Sequence, residues 1–347
     1  MAVAAELRAR GAEVSFLGAA GRAEAELVPA AGYEIDLLAV RGLDRRNPLK
    51  AAAAALRAAA AVPAARRVLR SRGADAVLGG GGYVAGPAGL AALRLRLPLV
   101  LTEADSHLGL ANRLLARRAR RVCLAFPISG REGDPYLVTG RPVPAEVLGA
   151  DRGAARERFG IGAGEHCLLV VGGSQGAHSI NLASLEAFAA GHKRDFCVLH
   201  IAGKRDFAAI RERLRRLGAD CYKLLEYEPN LGQALAAADL VLGRAGGSIF
   251  EFTAAGRPAL LVPYPHASGD HQSSNAEWMA RAGAATVIPD DELEPERLRD
   301  AVSDLLADDG RLEQMAAASR SLAKPDAAAR VADEVLAAAE PKPATDP

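Results

Sequence analysis

Aromatic residues are scarce in this sequence, with one Trp, six Tyr and eight Phe in 347 residues. Beside abundant Ala, Gly, Leu and Arg, the scarcity reads as a GC-rich coding bias. It weighs against nucleic-acid binding, because the arginines have no aromatics interleaved among them on which bases could stack. Cysteine is limited to Cys123, Cys167, Cys197 and Cys221, and no two form a C-x-x-C pair. Three lie in strand-like apolar runs, so the sequence predicts buried free thiols and a reducing compartment. No apolar run is long and clean enough to span a bilayer; the Ala-rich segment 51–65 is broken by Arg57 and Pro63 and reads as a helix.

Charge of one sign is lacking only in the sum. The net is +1, yet residues 1–143 carry 21 Lys and Arg against 12 Asp and Glu, whereas the remainder carries 22 against 30. A basic first half beside an acidic second half points to an anionic partner for the first half alone. Half the residues are hydrophobic and a quarter charged, a normal globular balance, and the length fits two domains.

Short apolar runs alternate with helical patterns throughout. Glu13–Leu17, Ala76–Leu78, Leu99–Leu101, Val122–Ala125, Cys167–Val171, Phe196–Ile201, Leu240–Leu242, Ala259–Val262 and Ala285–Ile288 read as buried strands. Helices are predicted over 49–70, 108–120, 178–189, 206–217 and 295–307. Such alternation gives parallel sheets covered on both faces, here an α/β chain of two doubly wound domains. The predicted divisions are 1–143, 144–323, and a last helix with a Pro-rich, disordered tail over 324–347. The chain opens inside a helix (Ala4–Arg10) with no strand before it. Without that strand two interior strand edges lack a partner, from which the sequence reading expects either another element in the slot or a missing beginning.

In doubly wound sheets, ligands bind where loops leave the carboxyl ends of strands and enter helices. Gly79–Pro87 is one such stretch, suited either to close approach of a ligand or to packing helix 87–94 on the sheet. Gly172-Gly173-Ser174-Gln175-Gly176-Ala177 is a second, and the helix it opens presents free amides to a phosphate. It has neither the Lys of a P-loop nor the G-x-G-x-x-G spacing, so ATP hydrolysis and NAD binding are not indicated. Arg244–Ser248 is a third and leads into a helix carrying Glu251, which shares a face with Ser248 and suits ribose hydroxyls or simply complements the helix dipole. Pro265–Asn275 is dense in hydrogen-bonding side chains, as a sugar site requires. A metal at His266, Asp270 and His271 has no further ligand set, and the plainer reading makes Asp270 a helix N-cap. In the first half, Thr102–His107 offers Glu103, Asp105 and His107 as candidate proton acceptors, with Asp105 or Ser106 alternatively capping the next helix.

Taken together these stretches resemble the MurG family, the glycosyltransferases that add N-acetylglucosamine to undecaprenyl-pyrophosphoryl-muramoyl-pentapeptide in peptidoglycan synthesis. The matching pieces are Ala4–Gly11, Gly81–Pro87, Glu103 with Gly109–Ala116, Thr139–Val143, Gly172–Ala177 with Asn181, Arg244–Glu251, His271–Ala276 and Ala282–Ala285. The resemblance implies two Rossmann-like domains facing a cleft, the glycosyltransferase B type, with UDP-N-acetylglucosamine on the second. It implies Ser174, Gln175 and Gly176 by the phosphates; amides of Gly246, Gly247, Ser248 and Ile249 on the diphosphate; Glu251 on the ribose; Tyr227 and Glu228 at the uracil. His271, Gln272 and Asn275 would meet the sugar. On the acceptor side it implies Asp105, Asn112 and Arg141, inverting transfer without a cofactor or a metal, and peripheral attachment to the anionic inner leaflet at the cytoplasmic face of the membrane.

The departures concern the acceptor side. The family's first strand and its Gly-rich loop with a His are absent. Its His-Glu-Gln-Asn reads Thr102-Glu103-Ala104-Asp105. Its Arg after Pro-Val is Pro144, with Arg141 as the substitute, and the loop between Gly246 and Glu251 is one residue shorter. Two other readings are a transferase of another UDP-sugar or lipid acceptor, and a non-catalytic UDP-sugar-binding protein. For the membrane, segment 49–72 offers Arg57, Arg66, Arg67, Arg70 and Arg72 beside an apolar body, and Arg117, Arg118, Arg120 and Arg121 add to the positive surface.

Overall fold

The structure is a computed structural model that describes residues 1–40, 48–173, 176–189, 195–218, 221–267 and 270–340. Ser174, Gln175, Ser268, Gly269 and the tail 341–347 lie outside the described residues. The chain divides into two compact units, Met1–Pro142 with Asp326–Pro347, and Val143–Pro325.

The first unit runs α1 (Ala2–Ala9), β1 (Ser15–Ala19), α2 (Glu24–Ala30), β2 (Glu34–Leu38), α3 (Pro48–Ser71), β3 (Val77–Gly79), α4 (Gly82–Leu95), β4 (Leu99–Glu103), α5 (Leu110–Leu115), β5 (Arg121–Leu124) and β6 (Tyr136–Val138). The second runs α6 (Ala145–Leu148), α7 (Arg152–Arg158), β7 (His166–Val171), α8 (His178–Ala189), β8 (Phe196–Ile201), α9 (Phe207–Leu217), β9 (Tyr222–Leu225), α10 (Leu231–Ala237) and β10 (Leu240–Gly243). It continues through α11 (Ile249–Ala254), β11 (Ala259–Leu261), α12 (His271–Arg281), β12 (Ala285–Val287), α13 (Pro295–Leu306) and α14 (Asp309–Leu322). The last helix, α15 (Ala327–Ala339), packs in the first unit and is not a separate appendage: Val331, Ala332, Val335 and Ala338 bury against Val3, Leu7, Val100 and Cys123.

The second unit holds one six-stranded parallel sheet in the order β12-β11-β10-β7-β8-β9. Within the unit this is the doubly wound order 3-2-1-4-5-6, whose direction of winding reverses between β7 and β10. Both faces are covered, which is why the strands are continuously apolar: Cys167, Leu168, Leu169 and Val170 are all fully buried, as are Leu240, Val241 and Leu242. Phe188 on α8 meets Phe196 edge-on at 5.8 Å, and each such buried side chain stabilises by roughly 1.5–3 kcal/mol.

The first unit has its parallel strands in two sheets, β1-β2 and β3-β4-β5-β6. Among the described residues no strand pairs with β3 on the side away from β4, or with β1 on the side away from β2. The reading of three buried free thiols holds for Cys123 and Cys167 but not for Cys197. Cys197, the second residue of β8, and Cys221, just before β9, have Cα atoms 4.9 Å apart and are joined as a disulfide. Only Cys123 and Cys167 are free, and burial pushes both thiols up to about 12, which keeps them protonated and inert.

Candidate active site

Register brings the predicted loops of the second unit together. Val171 pairs with Gly243, and Gly243 pairs with Leu261, so the segments after β7, β10 and β11 leave one sheet edge side by side. That edge includes the reversal between β7 and β10, where doubly wound sheets open a crevice.

The loop after β7 is folded tightly. A Cβ on Gly172 would lie 2.3 Å from the Ala177 nitrogen, and one on Gly176 would lie 2.6 Å from the Ala202 carbonyl oxygen. Gly176 also has φ +76, so any side chain there is both strained and obstructed. A buried chain of hydrogen bonds fixes the helix behind this loop. His200 Nδ1 lies 2.7 Å from the Tyr222 hydroxyl and Nε2 lies 3.0 Å from Asn181 Oδ1. Asn181 Nδ2 donates to the Ala202 carbonyl and to Asp206 Oδ2, each at 2.9 Å. Asp206 Oδ1 then meets His178 Nδ1 at 3.2 Å. Every bond has a matched donor and acceptor when Tyr222 donates to Nδ1 and Nε2–H donates to Asn181, so His200 is a neutral Nε2–H tautomer. Burial lowers its pKa to about 3.

After β10 the chain turns through Gly246 and Gly247 into α11. Ile249 N closes this turn on the Gly246 carbonyl at 3.2 Å, whereas the Gly247 and Ser248 amides have no acceptor among the described residues. Glu251 sits half-buried in the first turn. Asn275, on α12, is 2 % exposed and donates from Nδ2 to the Ala245 carbonyl at 3.0 Å, while its Oδ1 has no partner among the described residues. Gln272 Oε1 accepts from Tyr264 N at 2.9 Å, and its Nε2 lies 3.7 Å from where a Gly246 Cβ would stand. Gly246, Gln272 and Asn275 therefore share one neighbourhood. Asp270 occupies the N-cap position of α12, but its side chain bonds no backbone amide there. It takes left-handed φ +53, and its carboxylate accepts from the Ser273 hydroxyl at 2.6 Å instead of from a backbone amide. Beyond β9, the Glu228 carboxylate accepts from Arg158 at 2.7 Å and from Asn230 N at 2.9 Å, and Tyr227 is exposed.

The acceptor-side candidates all belong to the first unit. The buried Glu103 carboxylate accepts from four donors: the amides of Ala104 (3.0 Å), Asp105 (3.3 Å) and Gly109 (2.7 Å), and Asn112 Nδ2 (3.0 Å). Asn112 Nδ2 also donates to the Thr102 carbonyl at 2.9 Å. These bonds hold the loop 104–109, and Gly109, not Asp105 or Ser106, precedes α5. Asp105 is half-buried with no partner for its carboxylate among the described residues; His107 is exposed and Arg141 half-buried. The sequence reading missed Ser179, Arg244 as a side chain, and Asp290, whose guanidinium–carboxylate–hydroxyl cluster lies at the same edge of the second unit. No local pattern marks Asp290, which stands 46 residues from Arg244.

The glycosyltransferase family 28 N-terminal domain model matches residues 1–124 and the family's C-terminal domain model matches residues 167–331. A UDP-N-acetylglucosamine--N-acetylmuramyl-(pentapeptide) pyrophosphoryl-undecaprenol N-acetylglucosamine transferase of Moorella thermoacetica is 41 % identical, covering 95 % of this chain and 92 % of that protein. A protein of the same name from Rubrobacter xylanophilus is 40 % identical over 97 % of this chain and 98 % of its own. The crystal structure of Acinetobacter baumannii MurG superposes with a TM-score of 0.77 at 29 % identity, covering 97 % of this chain and 94 % of that one. The calicheamicin glycosyltransferase CalG4, at 20 % identity and a TM-score of 0.69, shares the fold. The chain thus has the glycosyltransferase B type of fold, and it belongs to glycosyltransferase family 28 and, within it, to the MurG family of glycosyltransferases.

Proposed function

We propose that this chain transfers N-acetylglucosamine from UDP-N-acetylglucosamine to undecaprenyl-pyrophosphoryl-N-acetylmuramoyl-pentapeptide, converting lipid I to lipid II with inversion at the anomeric carbon. The observation that carries the reading is the convergence, at the β7–β10 reversal, of two glycine turns, the second with open amides at Gly247 and Ser248, and a helix bearing hydrogen-bonding side chains. The relatives' printed names supply the substrates.

In this reading the Gly247 and Ser248 amides receive the diphosphate, together with Gly176 and the loop residues Ser174 and Gln175. Glu251 accepts from the ribose hydroxyls. The backbone at Tyr227 and Glu228 borders the uracil, and Glu228 itself holds that loop through Arg158. Gln272, with its oxygen engaged, turns its amide group toward the ligand beside His271, while Asn275 supports the Ala245–Gly246 turn. The acceptor hydroxyl attacks the anomeric carbon as the bond to the UDP oxygen breaks. Charge accumulating on the departing diphosphate is met by amides already in position. Asp105 or His107 takes the hydroxyl proton. Glu103, saturated with four donors, serves to hold their loop, with Asn112 as its strut. Arg141 stands in for the family's acceptor-side arginine.

Peripheral attachment to the inner leaflet is part of the proposal. Leu56, Leu110 and Leu114 are exposed, and Arg57, Arg67, Arg70, Arg113, Arg117, Arg118 and Arg120 are exposed in the same unit. Arg72 and Arg121 drop out of this set, being paired with Glu34 and Asp36 and with Asp134 and Glu334. No helix among the described residues is long and apolar enough to cross a membrane.

The test is calorimetric titration with UDP-N-acetylglucosamine, followed by transfer of labelled sugar to a panel of lipid acceptors. Replacing Glu251 with Ala removes charged hydrogen bonds worth roughly 1.5–3 kcal/mol, so affinity should fall about ten- to hundredfold. Unchanged affinity, or transfer to diacylglycerol alone, rejects the reading.

A further inference from the structure

The Arg244 side chain is 12 % exposed, and both terminal nitrogens are engaged. Nη1 donates to the carbonyls of Val262 (3.1 Å) and Pro263 (3.3 Å) and to Asp290 Oδ1 (2.5 Å). Nη2 donates to Ser179 Oγ at 2.8 Å, and Ser179 Oγ donates onward to Asp290 Oδ1 at 2.7 Å. The guanidinium carbon also stands 5.3 Å from the ring centroid of Tyr264. One cation therefore ties together the first turn of α8, the start of the loop after β11, and the short turn Asp290–Glu292 that follows β12.

An arginine at the head of a glycine turn beside a diphosphate site would ordinarily be read as a phosphate ligand. Here the partners point elsewhere. The carboxylate neutralises the guanidinium; Nη1 is spent on two carbonyls and that carboxylate, and Nη2 gives a hydrogen to the hydroxyl. What the arrangement fixes is spacing. The segment at Val262–Tyr264 is gripped from both sides, at its carbonyls by Arg244 and at the Tyr264 amide by Gln272. Ser179 lies two residues beyond Ala177, where the loop after β7 ends. A shift of any one segment would have to break a charge-assisted bond that is largely withheld from water.

We propose that Asp290 and Ser179 are positioning residues for the donor: they lock Arg244 as a brace that keeps the loops after β7, β10 and β11 at the separation a UDP-sugar requires. This rests on the function proposed above. Neither residue touches the substrate; both act through Arg244.

The experiment compares Asp290→Ala, Ser179→Ala, Arg244→Ala and the double variant Asp290→Ala/Arg244→Ala with the full chain. It measures the KM for UDP-N-acetylglucosamine, the KM for the lipid acceptor, kcat, and UDP affinity by calorimetry. Asp290→Ala should raise the donor KM at least tenfold and leave the acceptor KM within twofold. Ser179→Ala, which keeps the ion pair and covers the case in which Asp290→Ala does not fold, should raise the donor KM about threefold. Because Asp290 acts through Arg244, the double variant should be no worse than Arg244→Ala alone, and Asp290→Glu should recover part of the loss. Equal losses for donor and acceptor, or multiplicative losses in the double variant, would overturn the brace. So would tighter UDP binding in Asp290→Ala, since that result would make Arg244 a phosphate ligand held in reserve. A wild-type chain that binds UDP-N-acetylglucosamine while all four variants match it sinks the brace alone. A wild-type chain that binds no UDP-sugar sinks the functional reading and the brace with it.

Discussion

Acidification should loosen the second unit through His200. In the folded chain its imidazole is fully buried, neutral, and hydrogen-bonded at both nitrogens, with a pKa lowered from 6.5 to about 3. In the unfolded chain it titrates near 6.5, so between these two values the unfolded state binds the extra proton and stability falls as pH drops. From pH 7.5 to pH 5 the loss is about 2 kcal/mol, growing toward roughly 5 kcal/mol near pH 3. The chain's one tryptophan, Trp278, lies on α12 in this unit, 5.6 Å from the Phe250 ring, so its fluorescence follows unfolding of the second unit. Urea midpoints should be recorded at both pH values for the wild type and for His200→Gln. The variant is expected to be less stable at pH 7.5, because Tyr222 and Asn181 lose matched partners, yet its stability should fall by about 2 kcal/mol less on going to pH 5. The carboxylates titrate alike in both proteins and cancel in the comparison. Equal acid losses in the two proteins would refute the depressed pKa. The added proton would go on Nδ1, the nitrogen that accepts from Tyr222, and so would disturb the far end of the chain that runs through Asn181 to the Ala202 carbonyl against which Gly176 packs.

Two further substitutions probe the site. Gly176→Ala puts a Cβ 2.6 Å from the Ala202 carbonyl oxygen at φ +76, and should cost roughly 1–3 kcal/mol by the Trp278 transition and weaken UDP-N-acetylglucosamine binding by calorimetry. An unaltered transition would mean the loop has room to move. Glu103→Gln replaces a two-oxygen acceptor by one oxygen and an amide facing backbone N–H groups; it should lower the thermal stability of the first unit by roughly 1–3 kcal/mol and reduce kcat without removing a limb of the pH–rate profile. Loss of that limb with stability intact would instead make Glu103 the proton acceptor.

Much of the fold was legible because buried parallel strands are continuous apolar runs. Phe196–Ile201 and His178–Ala189 fall where the pattern sets them. The strands it overlooked are β2, β6 and β9. In β2, charged Glu34 and Asp36 interrupt the run, and Arg72 neutralises both from another element; in β9, Lys223 interrupts it. Helix α4 begins at Gly82 rather than near Pro87, since a proline in the second turn forfeits one backbone bond without ending the helix. The disulfide between Cys197 and Cys221 was hidden because the strands that bring them together are 24 residues apart in sequence.

The sequence by itself determined the glycine turns, the helix starts they open, and the family, because these depend on local backbone freedom and short-range order. The tertiary structure alone decided which of those turns are neighbours. It set β10 beside β7, sent α15 back to the first unit, and gathered Ser179, Arg244 and Asp290 around one charge. It also turned Glu103 from a free carboxylate into a saturated one. Hydrogen bonds and ion pairs act over about 3 Å, and which residues come that close is fixed by packing across the sheet, not by their order along the chain.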